Sequence, residues 1–559
     1  MRSTHLNSST VTKREKFVGL VFYGLTIFFL VRSFILCGSS DIWYDELFSM
    51  EFSGSEVGEL IGLTAKDVHP PLYYILVRGV TLLFKSLGLA GAGKLSIVSV
   101  AKITSIIPFV FIMVYSLTAI RKIFSFATSG IFSFAVVTMP GLPEYTTEIR
   151  MYSFALFFVT AALIHAYNLY ASMIKKTDGK WDYLNSTALF AYSAAAAYTH
   201  YYAAMAVGII YIMLMTTMIS TFVKVLKLKK AGASEVSVKY RPFVLAINAG
   251  NFTVITYIFW VSSLFSQMTA VKGNYWIQPV GPRTVLSCMK YMFLGYFTNT
   301  KFGMILAILI ILLIVGSKAL PVANIILKKE EADLNLKFEL LAITVLPIVV
   351  LMGIIASMIF RPVFVSRYMV PSYGVFWLSV AAGIGRKLKE KPGKNMICTA
   401  LLLALILVVG CVDFKAFIGN EEYRQVNMKK TEELFASIDK DTVIISNFDH
   451  VQALLSYYLN EKADAASHAG ADKVDYRIYL YEAEAEPLIA KTVPGLDTVK
   501  DPAQIRDLLD AGKKVLFLGS FNSREVLIDE WNKEYGITSE NKGSYLMERY
   551  WFDVFELGL

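Results

Sequence analysis

Charge is scarce in this chain, and what there is comes in clusters. Only 18% of its 559 residues are Asp, Glu, Lys or Arg, against about a quarter in soluble domains. That shortage excludes a soluble globular protein of this length. Cysteine is scarcer still: Cys37, Cys288, Cys398 and Cys411 are the whole set, and no two form a Cys-x-x-Cys pair. A disulfide framework, a thiolate zinc site and a dithiol redox centre are therefore not expected. The six histidines show no HExxH or HxxxH spacing, so the zinc-hydrolase pattern is missing too. There is no nucleotide fingerprint: Phe517-Leu518-Gly519-Ser520 closes a strand-like run, but one glycine is too little for a phosphate loop. No repeat or low-complexity tract breaks the chain. A cleavable leader is not expected either. The run 17–37 is long enough to span and lacks a small-residue cleavage site, so it reads as a signal anchor.

What the chain has in abundance is apolar surface: 55% hydrophobic residues and a mean hydropathy of +0.51. Apolar runs lie near 17–37, 97–120, 124–140, 151–172, 184–199, 202–223, 243–265, 302–317, 338–359, 365–384 and 396–412, eleven in all. The net charge of +9 looks like a nucleic-acid signal, but the positions of the basic residues give it another origin. Lys13, Arg14 and Lys16 precede the first run. Arg121–Lys122, Lys175–Lys180, Lys224–Arg241, Lys328–Lys329 and Arg386–Lys394 then fall in alternate loops. Eleven spans with a cytoplasmic N-terminus put every one of these clusters inside, which is the positive-inside pattern. No nucleic-acid partner is expected.

Residues 69–89 are apolar enough to pass as a further span, but Arg78 and Lys85 fall within them. Counting them would turn every later basic loop outward. They read instead as a helix lying on the outer membrane surface, with His69-Pro70-Pro71 at its start. After residue 412 the character changes. Thr442–Ser446, Tyr476–Tyr481, Val515–Gly519 and Tyr545–Phe555 read as strands, and His450–Asn460 and Glu525–Tyr535 as helices. The expected organisation is a transmembrane domain over 1–412 and an extracytoplasmic α/β domain over 413–559.

The outer face then collects Asp41, Asp45, Glu46, His69, Glu144, Glu148, Arg150, His200, Arg361 and Arg367. Ionisable residues beside spans are functional candidates, although any one alone is as well read as a solvated loop charge. The motifs follow in order: Ile42-Trp43-Tyr44-Asp45-Glu46-Leu47-Phe48-Ser49 after the first span, His69-Pro70-Pro71-Leu72-Tyr73-Tyr74 later in that loop, Glu148-Ile149-Arg150-Met151-Tyr152 opening the fourth span, and Arg367-Tyr368 with Pro371 opening the tenth. In this order they resemble the GT-C membrane glycosyltransferases, in the branch of the protein O-mannosyltransferases and the lipid A aminoarabinose transferase (families 39 and 83). The resemblance covers about residues 15–412, and the tail matches no motif.

The resemblance implies an inverting transfer from a polyprenyl phosphate sugar to an extracytoplasmic acceptor, whether protein, lipid or cell-envelope glycan, at a plasma membrane. It implies Asp45 as the base, with Glu46 as the adjacent competitor. Arg150 and Arg367 would hold the donor phosphate with planar forks, helped by His69 and His200. Tyr44, Glu148, Tyr152, Tyr202 and Tyr368 would line the sugar and acceptor. Trp43, Tyr201 and Trp276 are further candidates for stacking, but for most of these aromatics an interfacial belt is the simpler reading. Glu46, His69 and Glu148 are the residues that would hold a divalent cation if one is used. Two readings compete with the enzyme: a non-catalytic lipid or glycan transporter, and a sensor with an outer binding domain. Transporters place charges at the midplane of interrupted helices, whereas here they gather on one face.

Overall fold

The computed structural model describes residues 12–39, 41–91, 94–175, 179–232, 237–270, 277–298, 300–327, 332–390, 395–439, 441–468, 477–483, 496–547 and 549–559. Trp276 lies outside them. Lipid offers no partner to an open backbone, so spans of this composition must be helices. All eleven apolar runs are helical. Among the described residues eight helices are long and apolar enough to cross a bilayer unaided, from Lys13–Leu36 to Met396–Ser437. The remaining three are Phe126–Thr138, Lys180–Ala197 and Val370–Lys389. Phe126–Thr138 and Val370–Lys389 are buried along almost their whole length. They face other helices instead of lipid, so Ser, Gly and Ala serve where a lipid-facing helix needs Leu and Phe. Arg241–Ala270 shows the opposite case, with Phe252, Val254 and Phe259 exposed.

The chain packs as two compact units. Met1–Ile35, Thr64–Tyr73 and Ser105–Phe417 form the first; Leu36–Leu63, Tyr74–Thr104 and Ile418–Leu559 form the second. The helix Asn395–Ser437 runs unbroken through residues 412 and 413.

In the first unit small residues bring helices close together. A Cβ on Gly130 would stand 2.8 Å from the carbonyl oxygen of Gly19, so Phe126–Thr138 can lie against Lys13–Leu36 only without one. Three further helices, Lys301–Leu327, Leu334–Ile359 and Val370–Lys389, are tied by charge. Lys318 Nζ donates to Glu339 Oε1 at 2.6 Å and to the Ser379 carbonyl at 2.8 Å, and Arg386 forks onto the same carboxylate at 3.2 and 3.3 Å.

The second unit joins the first long loop to the tail. That loop holds helices Tyr44–Gly54 and Val57–Thr64, followed by Leu72–Ser86, an amphipathic helix of 15 residues. At ~1.5 Å per residue it reaches ~22 Å, short of the ~30 Å hydrocarbon core. Arg78, one of the two charges that mark it in the sequence, pairs with Glu56 at 2.5 Å and donates to the Gly54 carbonyl at 3.0 Å. The tail forms one sheet. Its strands are β1 Val443–Ser446, β2 Arg477–Tyr481, β3 Leu496–Val499, β4 Val515–Gly519, β5 Thr538–Met547 and β6 Tyr550–Gly558, in the order β3-β2-β1-β4-β6-β5. The first four are parallel, and β6 and β5 join antiparallel. β1 and β4 are buried throughout and pack with Ile505, Trp531 and Ile537. Residues 545–555, expected as one strand, are the ends of two. The reversal between Met547 and Tyr550 carries neither Gly nor Asn, so the apolar run gives no sign of a hairpin. The strand β3 and the helix Pro502–Asp510 were not expected from the sequence.

Candidate active site

In the first unit the segment before Tyr152 is pinned by its own backbone. Thr147 and Glu148 N–H groups return to the Glu144 carbonyl, and Arg150 N–H to the Glu148 carbonyl at 2.8 Å. Ser105 donates to that same Glu148 carbonyl at 2.7 Å. Tyr145 and Tyr291 share a 2.7 Å hydroxyl contact, and Tyr291 donates to Glu144 at 3.2 Å. Glu148 and Arg150 are buried by this arrangement, and Arg367 is half-buried.

Aromatic rings carry the wall onward. Tyr145 lies 4.8 Å from Tyr152, Tyr152 5.4 Å from His200, His200 5.2 Å from Tyr368, and Tyr368 stacks on Tyr202 at 5.0 Å. Tyr202 is anchored at its far end, its hydroxyl donating to the Val363 carbonyl at 3.0 Å. Tyr201, by contrast, turns into the helix packing, bonded to Gln267 and Trp260. His69 sits 5.7 Å from His200, ring to ring. The Leu72 N–H donates to the Tyr198 carbonyl, which fixes the His-Pro-Pro segment beside the turn that carries His200.

Both imidazoles are pushed toward their neutral form. Burial pushes His200 well below the ordinary histidine range, and His69, Arg150 and Arg367 push it further. Burial also lowers His69; Asp67, 3.4 Å from its Nδ1, pulls the other way, while Arg150 and Arg367 add to the lowering. Both guanidiniums therefore act on both rings. Seven of the expected residues come together here: Arg150, Arg367, His69, His200, Tyr152, Tyr202 and Tyr368. Two fixed cations, with neutral rings that can donate without adding charge, make a setting for an anion such as phosphate.

In the second unit, Tyr44, Asp45 and Glu46 form the first turn of the helix Tyr44–Gly54. Acidic residues suit a helix N-terminus, where the backbone N–H groups are unpaired and the dipole is positive. Glu46 is buried and accepts the Trp43 N–H at 3.1 Å, so one of its oxygens works as a cap. Asp45 is half-buried. Upstream, Asp41 is buried against Lys102 at 3.0 Å, and Ser39 bonds the same ammonium at 2.8 Å. Burial works against the Asp41 charge, but Lys102 and Ser39 outweigh it, and its carboxyl lies below the ordinary range.

Residues of the tail reach this turn. Tyr458 Oη accepts the Ile42 N–H at 2.7 Å, the Arg549 guanidinium lies 3.8 Å over the Trp43 ring, and His450 stacks on Tyr44 at 3.5 Å with the planes 8° apart. One face of Tyr44 is thus covered by His450. Nothing in the sequence pointed to Lys102, His450, Tyr458 or Arg549 as neighbours of this loop. Among the described residues no three His, Cys, Asp or Glu side chains gather as a cation would need.

No family model and no curated protein matches the chain. Solved structures do. ArnT from Cupriavidus metallidurans in the apo state superposes with a TM-score of 0.50 over 97% of both chains at 11% identity. The same protein bound to undecaprenyl phosphate gives 0.50 over 97% of this chain and 98% of that one, at 12% identity. The S. cerevisiae Pmt1-Pmt2 complex bound to the sugar donor matches over 52% of this chain and 38% of that one, at 15% identity and a TM-score of 0.31. The chain is a polytopic helical membrane protein of the GT-C fold with a C-terminal α/β domain.

Proposed function

We propose that this chain is an inverting glycosyltransferase that moves a sugar from a polyprenyl phosphate to an extracytoplasmic protein, lipid or cell-envelope glycan. The observation that carries this reading is the buried aromatic wall of the first unit, with Arg150 and Arg367 acting on two uncharged imidazoles. A phosphate monoanion ester suits that setting, and a protein of the same fold has been solved with undecaprenyl phosphate. Residues 413–559 would lie outside the plasma membrane and the N-terminus inside, which the basic loops favour.

The chemistry runs as a single displacement. Asp45 takes the proton of an acceptor hydroxyl, and that oxygen attacks the anomeric carbon from the face opposite the phosphate. The bond from the anomeric carbon to the phosphate oxygen breaks, and its electron pair leaves with the lipid phosphate. That group gains negative charge as it departs, and fixed cations stabilise the change. Arg150 and Arg367 supply them, and Nε2–H of His200 adds a neutral donor.

The test is to give the purified protein a panel of labelled polyprenyl phosphate sugars and acceptors. Transfer with inverted configuration is expected. Asp45→Asn should lose about 10²-fold or more in kcat while donor binding survives. Failure of every donor to bind would overturn the reading, and near-parental transfer by Asp45→Asn would remove Asp45 as the base.

A further inference from the structure

In an open α/β sheet the connections leave two neighbouring strands in opposite directions at one point, and the crevice beyond their carboxyl ends is where such domains hold what they bind. Here that point lies between β1 and β4. The crevice is braced by Asn447, which bonds the Ser520 backbone at 2.8 Å in both directions and the Ser523 hydroxyl at 2.9 Å. The turn after β4 holds Phe521 at φ 62°, a left-handed conformation rarely adopted by a bulky residue. The chain leaving β1 is Phe448-Asp449-His450, and it opens the helix Asp449–His468.

The His450 ring lies between Tyr44, at 3.5 Å and 8°, and Phe448, at 4.5 Å and 27°. Its Nδ1 is 2.8 Å from the Tyr550 hydroxyl on β6. Three consecutive residues ahead of Asp45 are each held by a different tail residue: Ile42 by Tyr458, Trp43 by Arg549, Tyr44 by His450. The charged groups facing His450 are Asp449, 3.9 Å from Nε2, and Asp45 itself, close enough to act on the ring electrostatically.

We propose that the α/β domain is the clamp that orients Asp45, with His450 as the central positioning residue acting through Tyr44. As a statement about catalysis this rests on Asp45 being the base; as a statement about the loop it does not. A base misplaced by ~1 Å can cost on the order of 10²-fold in rate.

The experiment uses the full chain in detergent, with His450→Ala, His450→Phe and Arg549→Ala, each read by steady-state kinetics and by hydrogen exchange of the amides of 44–50. His450→Ala should lower kcat on the order of 10-fold to 10²-fold with donor KM little changed, and should speed exchange at 44–50. His450→Phe keeps a ring on Tyr44 and should recover part of both effects. Arg549→Ala removes the Trp43 contact without touching the stack and should loosen the same amides. Unchanged exchange at 44–50 in both His450→Ala and Arg549→Ala would overturn the clamp. So would unchanged kcat in His450→Ala when Asp45→Asn is inactive on the same donor. If Asp45→Asn is active, the base assignment fails and the exchange data alone decide the clamp.

Discussion

The backbone N–H of Tyr202 donates to Nδ1 of His200 at 3.1 Å, and that one bond decides which ring nitrogen carries the proton. A neutral imidazole that accepts at Nδ1 must donate at Nε2. His200 caps the helix Tyr201–Lys230, so the bond that starts the helix also sets the tautomer offered to a ligand.

His200→Ala should therefore weaken binding of the donor, or of polyprenyl phosphate alone, by about 10-fold to 10²-fold, the range for a hydrogen bond to a charged group worth about 1.5–3 kcal/mol. Calorimetric titration with polyprenyl phosphate checks it. Equal affinity in the variant would remove His200 from the phosphate site.

Acid should destabilise the folded chain through the same pair. His69 and His200 are both held below the ordinary histidine value. The unfolded chain takes up protons as pH drops through about 6.5, while the folded chain does not. Stability falls from there downward until the folded values are passed. Thermal unfolding in detergent from about pH 7.5 to 5 should show this slope, and His200→Asn should flatten it. A slope identical in parent and variant would count against His200 as its source.

The two arginines should separate from the base in kinetics. Arg150→Ala and Arg367→Ala should each raise donor KM or Kd by about 10-fold or more, whereas Asp45→Asn acts on kcat. Arg367→Lys should restore only part of the loss, because an ammonium lacks the planar fork. Full restoration by lysine would mean that charge alone matters there.

Asp41 and Lys102 are each about 4% exposed at the side chain, so removing one partner takes its nearest opposite charge from a buried ion. Asp41→Asn should cost about 3–5 kcal/mol of stability, measured by denaturant unfolding. Adding Lys102→Met should recover much of it. The carboxyl lies below its ordinary range, so this contribution is present above the usual carboxylate pKa and fades only as pH falls through the lowered value. An additive double variant would show that the two do not act as a pair.

Local pattern alone located eleven apolar helices of the membrane domain, because a long apolar run has to be helical in lipid, but it did not show the helix Pro282–Phe293. It also revealed the charges within the helix Leu72–Ser86, the strand and helix alternation of the tail, and the motifs that carry Asp45, His69, Arg150 and Arg367. It did not separate the lipid-facing helices from the buried ones, since burial of Phe126–Thr138, Tyr152–Lys175 and Val370–Lys389 depends on neighbours elsewhere in the chain. It missed the β5–β6 hairpin because Glu548 and Arg549 bear no turn signature. Only the tertiary structure placed Tyr458 on Ile42, 416 residues away, Lys102 on Asp41 and His450 on Tyr44. It also decided that the first loop packs with the tail in one unit. Secondary structure follows from periodicities a few residues long, whereas a stacked ring or a buried ion pair depends on which surfaces close over it, and no short stretch of sequence records that.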